Sequence, residues 1–160
     1  MNASINVGLV ITCYDSRRSL QVLLRREGNT VADSGDDQGI AWDLPRKPAI
    51  AMAAAQAAAE YFAREFNVPG MPDIDQKAIE DILTPVHSSG LFFLRNHYFQ
   101  IHIFGRKPPD IEMTGATQFC SWFPVTRLPA FIPLGDRKAI KNSRIIAENR
   151  NIPGLRITDD

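Results

Sequence analysis

The sequence predicts an α/β/α sandwich, in which a mixed β-sheet lies between helices. Strand-like segments precede and follow one long helical segment, and a second helical segment lies near the end of the chain. This order is typical of a sheet covered by helices on both faces. The 160 residues, 44% of them hydrophobic, contain no internal repeat or linker. We therefore expect a single domain over residues 1–160 with a substantial core.

The composition limits the classes of partner. Eighteen basic and eighteen acidic residues give a net charge of zero, which disfavours an extended nucleic acid held by its phosphates. A small phosphorylated ligand needs only a local group of cations and is compatible with this composition. No apolar run approaches the roughly 18 residues of a membrane span, so we expect no membrane partner. The N-terminal segment shows neither a basic leader nor a small-residue cleavage site, and we expect a cytoplasmic protein.

The first 41 residues predict two strands and a long loop. Residues 5–14 alternate in the manner of a well-covered strand, and residues 20–26 predict a second strand that ends in Arg25 and Arg26. These guanidinium groups mark either a solvated strand end or a place where an arginine, Arg25, reaches a phosphate. Residues 27–41 predict an exposed loop of a length that is often functional. Their aspartates do not have the spacing of a calcium loop.

A long alanine-rich helix over residues 49–66 is the central prediction. Nine of these residues are alanine, and none is glycine or proline. Small side chains on its apolar stripe indicate close packing of the helix on the sheet. We expect Pro48 in its first turn, Asn67 in a left-handed conformation after its last turn, and a surface ion pair between Glu60 and Arg64.

The remaining chain predicts shorter elements. A helix over residues 76–83, capped by Asp73 or Asp75, is followed by a loop over 84–90. Strands over 91–95 and 98–104 form a hairpin that turns at Asn96 and His97. A loop over 105–115, a strand over 118–125 and a helix over 137–149 capped by Asp136 complete the chain. His102 is expected to be a strand side chain with a hydrogen-bond partner rather than a metal ligand.

Two segments together resemble the Nudix (MutT-like) family. Residues 42–45, Trp-Asp-Leu-Pro, precede the long helix, and residues 119–129, FCSWFPVTRLP, precede the terminal helix. The family has a W-x-L-P-G-G segment that opens the motif G-x5-E-x7-R-E-U-x-E-E-x-G-U, where U is a bulky aliphatic residue. It also has a late strand of the type W-F-x-L-x-x-L-P. The resemblance spans nearly the whole chain and implies a Nudix-type sandwich. It also implies magnesium-dependent hydrolysis of a nucleoside diphosphate linked to another group.

The structural positions of the motif match this sequence, whereas most of its acidic positions do not. When the motif ends at Asn67 and Val68, Glu65 is the one family glutamate of four that remains, and Tyr61 stands where another would be. Magnesium requires oxygen ligands in an octahedron. Tyrosine, with a pKa of about 10, is a poor ligand at neutral pH. An ion bound by Glu65 would depend mainly on substrate phosphates and water, so magnesium is a doubtful cofactor.

The resemblance and the residue types together nominate a small set of site residues. Glu65 is either an ordinary polar residue of the helix or the candidate metal ligand and catalytic residue, and Glu112 in a later loop is a second catalytic candidate. Arg46 and Lys47 replace the glycine turn and either hold an anion at the mouth of the helix or are solvated loop cations. The expected ligand-binding residues are Arg25, Trp42, Arg46, Lys47 and Tyr61, with Trp42 a candidate for stacking on a base.

Three functions are compatible with these residues. The first is a divergent Nudix protein with lost or weakened hydrolysis, which binds a nucleotide-like phosphorylated ligand or a partner. The second is an active magnesium-dependent hydrolase that uses Glu65 and other acids, such as Glu112. The third is a structural or assembly protein, forming a homodimer, with a vestigial pocket. A fold alone does not decide among them.

Overall fold

The computed structural model describes residues 4–27, 41–49, 52–91, 94–114, 118–149 and 151–158. Most of the predicted loop at residues 27–41 lies outside these ranges. The elements are, in chain order, β1 (Ser4–Tyr14), β2 (Leu20–Glu27), β3 (Arg46–Ala49), α1 (Ala54–Glu65), β4 (Phe66–Asn67), α2 (Gln76–Ile82), β5 (Thr84–Leu91), β6 (Leu94–Phe104), β7 (Glu112–Met113), β8 (Gln118–Pro124), α3 (Leu134–Asn149) and β9 (Gly154–Arg156). No helix within these ranges is long and apolar enough to cross a membrane.

Strand β1 lies at the centre of a mixed sheet. In the described ranges the sheet has the order β5-β6-β1-β2-β8, with β3 also paired to β1 and β9 also paired to β6. Strand β1 is parallel to β6 and antiparallel to β2 and β3, and β6 is parallel to β9. The carboxyl ends of β1, β6 and β9 therefore lie side by side at the same end of the sheet.

The alternation of side chains in β1 builds a core on each face of the sheet. The odd-numbered residues from Val7 to Cys13 pack with buried residues of α1, including Ala58, whereas Val10 packs with Ile140 of α3. Ala58 is fully buried, as close packing of helix on sheet requires. The predicted α/β/α sandwich is therefore confirmed, and β1, β2, α2 and β8 lie where the sequence predicts them. Asp75 caps α2 by accepting a hydrogen bond of 2.9 Å from the Ala78 amide.

The start of the long helix differs from the prediction. Helix α1 begins at Ala54, and Pro48 lies in strand β3, opposite Asn6 of β1. Pairing with β3 gives the first half of β1 partners for its backbone groups on that side. A helix formed by these residues would leave those groups without strand partners. The prediction that Pro48 occupies the first helical turn is therefore wrong.

The end of the helix also differs. Phe66 and Asn67 are extended and pair with Met113 and Glu112 of β7, so the predicted left-handed conformation at Asn67 is wrong. The Thr114 amide donates to the Glu65 carbonyl at 3.0 Å and so satisfies one of the last helical carbonyls. The left-handed residue in this segment is Gly70, with φ of 77°.

Residues 84–104 form a longer hairpin than the sequence predicts. The predicted loop at 84–90 is strand β5, and the predicted turn at Asn96 and His97 lies inside strand β6. Leu91 pairs with Leu94, and residues 92–93 between them lie outside the described ranges. Strand β5 forms an edge of the sheet and carries short polar residues, so its sequence lacks the alternation of a half-buried strand. Pairing with β6 overrides local propensity here.

Asp136 connects the terminal helix to the sheet. Helix α3 begins at Leu134, so Asp136 lies inside its first turn and is not the cap that the sequence predicts. Its carboxylate is fully buried and accepts hydrogen bonds from the Leu44 amide at 3.0 Å, the Arg46 guanidinium at 2.5 Å and the Tyr98 hydroxyl at 2.8 Å. Burial of Tyr98, followed by the charge and hydrogen bond of Asp136, raises the pKa of that tyrosine.

Tyr98 reaches Asp136 because its neighbour on β1 is Gly8. The two residues are directly paired, and a Cβ atom at Gly8 would lie 2.7 Å from Cδ1 of Tyr98. The absence of a side chain at Gly8 thus gives the tyrosine ring its place on the α3 face of the sheet.

A buried polar chain runs between β1 and β6. The Gln100 amide donates to the Thr12 hydroxyl at 2.9 Å, and Thr12 Oγ1 lies 2.9 Å from Nδ1 of His102. The tautomer of His102 sets which of these two atoms donates. Burial lowers the pKa of His102 to about 4. The predicted hydrogen-bond partner of His102 is therefore confirmed.

We predict that Asp136→Ala destabilises the fold by about 3–5 kcal/mol, because it leaves the Arg46 charge and two other donors without their acceptor. Urea unfolding measures this loss. The exposed Asp73→Ala is the matched control and should change stability by less than about 0.5 kcal/mol. Equal effects of the two substitutions would contradict the connecting role of Asp136.

We also predict a pH-dependent contribution from His102. The unfolded chain takes up a proton at this residue below about pH 6.5, whereas the folded chain does so only near pH 4. The stability due to neutral His102 is therefore complete above pH 6.5 and is lost as the pH falls from 6.5 to about 4. Urea unfolding across this range measures the free energy of unfolding. As the pH falls, this free energy should decrease by up to about 3 kcal/mol less in His102→Gln than in the unsubstituted protein.

The control for this measurement is His97→Gln, on the same strand, where the side chain is only partly buried. This variant should keep the full pH dependence. A pH dependence that is the same in His102→Gln and in the unsubstituted protein would show that the buried histidine is not its source.

Candidate functional site

The turn at residues 42–45 is held against two strands. Arg25 and Asp43 exchange backbone hydrogen bonds of 2.8 and 3.1 Å, and the Leu9 amide donates to the Pro45 carbonyl at 2.9 Å. Leu44 is fully buried under this turn. The tryptophan and the aspartate that flank the buried leucine thus have fixed positions next to β2.

The two arginines at the end of β2 point to opposite faces of the sheet, because successive strand residues alternate. Arg25 lies on the α1 face, where its guanidinium donates to Asp43 Oδ1 at 3.0 Å, to the Arg46 carbonyl at 3.2 Å and to the Tyr61 hydroxyl at 3.4 Å. Arg25 therefore links the turn to the helix.

Arg26 lies on the α3 face between two aromatic rings. Its guanidinium carbon is 5.5 Å from the ring centroids of both Trp42 and Phe119. Its buried Nη1 atom has no hydrogen-bond partner in the described part of the chain. Such a nitrogen, held in place by stacking, is suited to an acceptor supplied by a ligand.

These residues border a cavity of about 440 Å³, which we call the Trp42 cavity. One wall carries Arg25, Arg26 and Asp43, and another comes from the loop that precedes α3. Its lining residues are Arg25, Arg26, Ala41, Trp42, Asp43, Phe131, Ile132 and Pro133. A cavity of this size, with apolar walls and a charged edge, has the character of a small-molecule site.

A smaller groove of about 130 Å³ lies beside α1, lined in part by Lys47, Glu60, Tyr61 and Arg64. Glu60 and Arg64 form the predicted ion pair at 3.0 Å. Lys47 Nζ lies 2.5 Å from Glu65 Oε2 and 6.0 Å from the centroid of the Tyr61 ring. The Lys47 ammonium group is thus paired with the one glutamate that matches the family motif.

These residues do not fit a magnesium ion. The Glu65 carboxylate is already paired with Lys47. Burial raises the pKa of Tyr61, an effect that Arg25 opposes, so this hydroxyl stays protonated at neutral pH. Within the described ranges, no group of three or more His, Cys, Asp or Glu side chains is placed to hold a metal ion. Magnesium prefers several oxygen ligands and tolerates no ammonium among them.

The structure places the predicted site residues in three locations. Arg25 and Trp42 line the Trp42 cavity, and Lys47 and Tyr61 line the groove beside α1. Glu65 adjoins that groove through its pairing with Lys47.

Arg46 and Glu112 lie elsewhere. The Arg46 guanidinium binds Asp136 and lies 3.9 Å from Asp43, so its charge is used within the protein. Glu112 is exposed in β7 opposite Asn67 and lines neither the cavity nor the groove. Of the seven predicted residues, two thus line the Trp42 cavity, three lie in or beside the groove, and two lie in neither.

The sequence did not indicate the wall of the cavity formed by Phe131, Ile132 and Pro133. These residues lie about 90 positions from the tryptophan turn, and nothing local marks them as neighbours of it. Phe131 is 61% exposed, and its position in the cavity wall is visible only in the folded chain.

No protein-family model matches the sequence, and no curated protein sequence matches it. The structure, in contrast, is similar to several solved structures at low identity. A MutT/nudix family protein from Enterococcus faecalis has a TM-score of 0.54 and 12% identity over 92% of this chain, which spans 63% of that protein's length.

Two further similar structures are of comparable size. The NUDIX domain of Shewanella oneidensis NrtR, complexed with ADP ribose, has a TM-score of 0.57 and 14% identity, covering 91% of this chain and 88% of that one. A C. elegans Ap4A hydrolase, in a binary complex, has a TM-score of 0.60 and 11% identity, covering 92% and 100%. At these identities the likeness establishes the fold: the chain has the Nudix (MutT-like) fold, with the mixed sheet between helices described above.

Proposed function

We propose that this protein binds a nucleotide-like phosphorylated ligand in the Trp42 cavity and does not hydrolyse it with magnesium. The observation that carries this proposal is the pairing of Lys47 with Glu65, beside a buried and protonated Tyr61. The family's catalytic chemistry needs a cluster of carboxylates there. The chain instead presents a cation, which suits phosphate binding. The cytoplasmic location expected from the sequence is part of this proposal.

The Trp42 cavity offers separate surfaces for the two parts of such a ligand. Trp42 and the exposed Phe131 offer aromatic surface to a base, and base–aromatic stacking contributes about 1–3 kcal/mol per base. The Arg26 nitrogen that has no partner among the described residues is available to a phosphate oxygen. The similar NrtR domain is complexed with ADP ribose. We therefore propose a nucleoside diphosphate linked to a second group as the ligand class.

Lys47 supplies positive charge that a metal ion supplies in the family. Its pair with Glu65 is partly exposed, with the two side chains 52% and 33% accessible. Such a pair contributes less than about 1 kcal/mol, so a phosphate group can replace the glutamate as the partner of the ammonium. Phosphate binding at this groove then needs no metal.

Hydrolysis is the second candidate function, and one observation favours it. Strand β7, which carries Glu112, is hydrogen-bonded to the end of α1, where the Thr114 amide donates to the Glu65 carbonyl at 3.0 Å. In this alternative, Glu65 leaves Lys47 and acts together with Glu112. The similarity to a hydrolase of Ap4A agrees with such a function.

We predict that ADP ribose binds with unchanged affinity when EDTA replaces magnesium. Phe131→Ala should raise its dissociation constant at least tenfold, about 1.4 kcal/mol, because a stacking surface is removed. Calorimetric titration measures both effects. The matched control is Leu134→Ala, an equally exposed neighbour at 68% that does not line the cavity. Equal affinities of the two variants would exclude the Trp42 cavity as the site.

We further predict no turnover of nucleoside diphosphate derivatives with magnesium or manganese. Neither metal should raise the melting temperature, because Lys47 occupies the carboxylate that would bind it. The assay compares the unsubstituted protein with Glu65→Gln by chromatography of the products. Turnover that this substitution abolishes would establish the hydrolase instead. If neither turnover nor stabilisation by any ligand occurs, the structural or assembly role, with a homodimer, replaces both proposals.

A further inference from the structure

Two adjoining cavities lie at the end of the sheet where β1, β6 and β9 have their carboxyl ends. One, of about 560 Å³, is lined by Ser16, Pro69, Arg106, Lys107, Pro109, Asp110, Ile157 and Thr158. The other, of about 420 Å³, is lined by Tyr14, His102, Ile103, Phe104, Gly105, Arg106, Arg156 and Ile157. Arg106 and Ile157 border both, so the two cavities are neighbours on this surface, and together we call them the depression. It shares no lining residue with the Trp42 cavity.

This depression is positively charged. Arg106 and Lys107 follow β6, Arg156 ends β9, and the one acid among the lining residues is Asp110. Neither Lys107 nor Arg156 has a carboxylate within salt-bridge distance in the ranges that the structure describes. These two charges are thus not neutralised within the described protein, although its net charge is zero.

The walls of the depression are fixed by the fold. The Thr158 amide donates to the Gly70 carbonyl at 3.0 Å, and the Ile157 amide donates to the Phe104 carbonyl at 3.1 Å. The guanidinium of Arg156 is held over the Phe104 ring at 5.5 Å. A Cβ atom at Gly70 would lie 2.4 Å from the Thr158 carbonyl oxygen, so this close approach requires glycine. A preformed wall lowers the entropy lost when a ligand binds.

The position and the chemistry together define a ligand class. Ligands of α/β sheets commonly bind outside the carboxyl ends of parallel strands. Guanidinium and ammonium groups that line a cavity together with the Ser16 hydroxyl suit a phosphate group, which carries close to two negative charges. Pro69, Pro109 and Ile157 add an apolar surface for an organic part. We propose that this depression is a second ligand site, for a small organic phosphate.

Trp122 provides a specific probe of this site. Its indole Nε1 donates to the carbonyl of Pro109, a wall residue, at 2.7 Å. The chain has two tryptophans, so the Trp42→Phe variant leaves Trp122 as the single tryptophan and also alters the first cavity. A change in fluorescence of this variant on ligand addition therefore reports the second site.

The experiment titrates Trp42→Phe with phenyl phosphate and, in parallel, with phenol and inorganic phosphate at constant ionic strength. We expect saturable binding of phenyl phosphate that is at least tenfold tighter than that of either part alone. Adding Lys107→Ala and Arg156→Ala should weaken it at least tenfold. The matched control adds Arg127→Ala and Lys141→Ala, two exposed cations elsewhere, and should leave binding unchanged.

The single substitutions Lys107→Ala and Lys107→Arg keep the test usable if the double variant is unfolded. The alanine should weaken binding and the arginine should retain it. Absence of saturable binding, or equal weakening by the two pairs of substitutions, would overturn the proposal. Phe131→Ala, which alters only the Trp42 cavity, should not affect this titration. The experiment therefore tests the second site independently of ligand binding in the Trp42 cavity.

Discussion

The buried carboxylate of Asp136 is the interaction on which the architecture of the site depends. It joins the first turn of α3 to the tryptophan turn through Leu44, to β3 through Arg46 and to the central sheet through Tyr98. A buried charge is stable only when its partners are complete. The four segments therefore keep one relative position, and the Trp42 cavity forms between the tryptophan turn and the loop that leads into α3.

A second set of charges determines what this site can bind. The family motif calls for several carboxylates on the exposed face of the helix. Here Arg25 contacts Tyr61, and Lys47 contacts Glu65. Side chains of β2 and β3 thus meet the helix positions that the motif assigns to acids, and the Lys47–Glu65 pair is neutral. In the function proposed above, the same fold binds a ligand without a metal and without any change in its core.

The failures of local prediction have one common cause. Residues 46–49 and 84–90 form strands although their own sequences show little alternation, because β1 and β6 present backbone groups that need partners. Asp136 has the residue type of a helix cap and lies near the helix start, yet a partly buried arginine from a distant strand binds it instead. In each case a partner far away in the sequence decides the outcome.

Periodicity in the sequence predicts β1, the middle of α1, α2 and β8, and with them the α/β/α order. The motif spacing also predicts the tryptophan turn. The pairing of Lys47 with Glu65, the position of Phe131 in the wall of the Trp42 cavity, and the charged depression at the ends of β1, β6 and β9 are visible only in the folded chain. Periodicity records which face of an element is buried. It holds no information on which distant side chains meet, because that depends on how the elements pack.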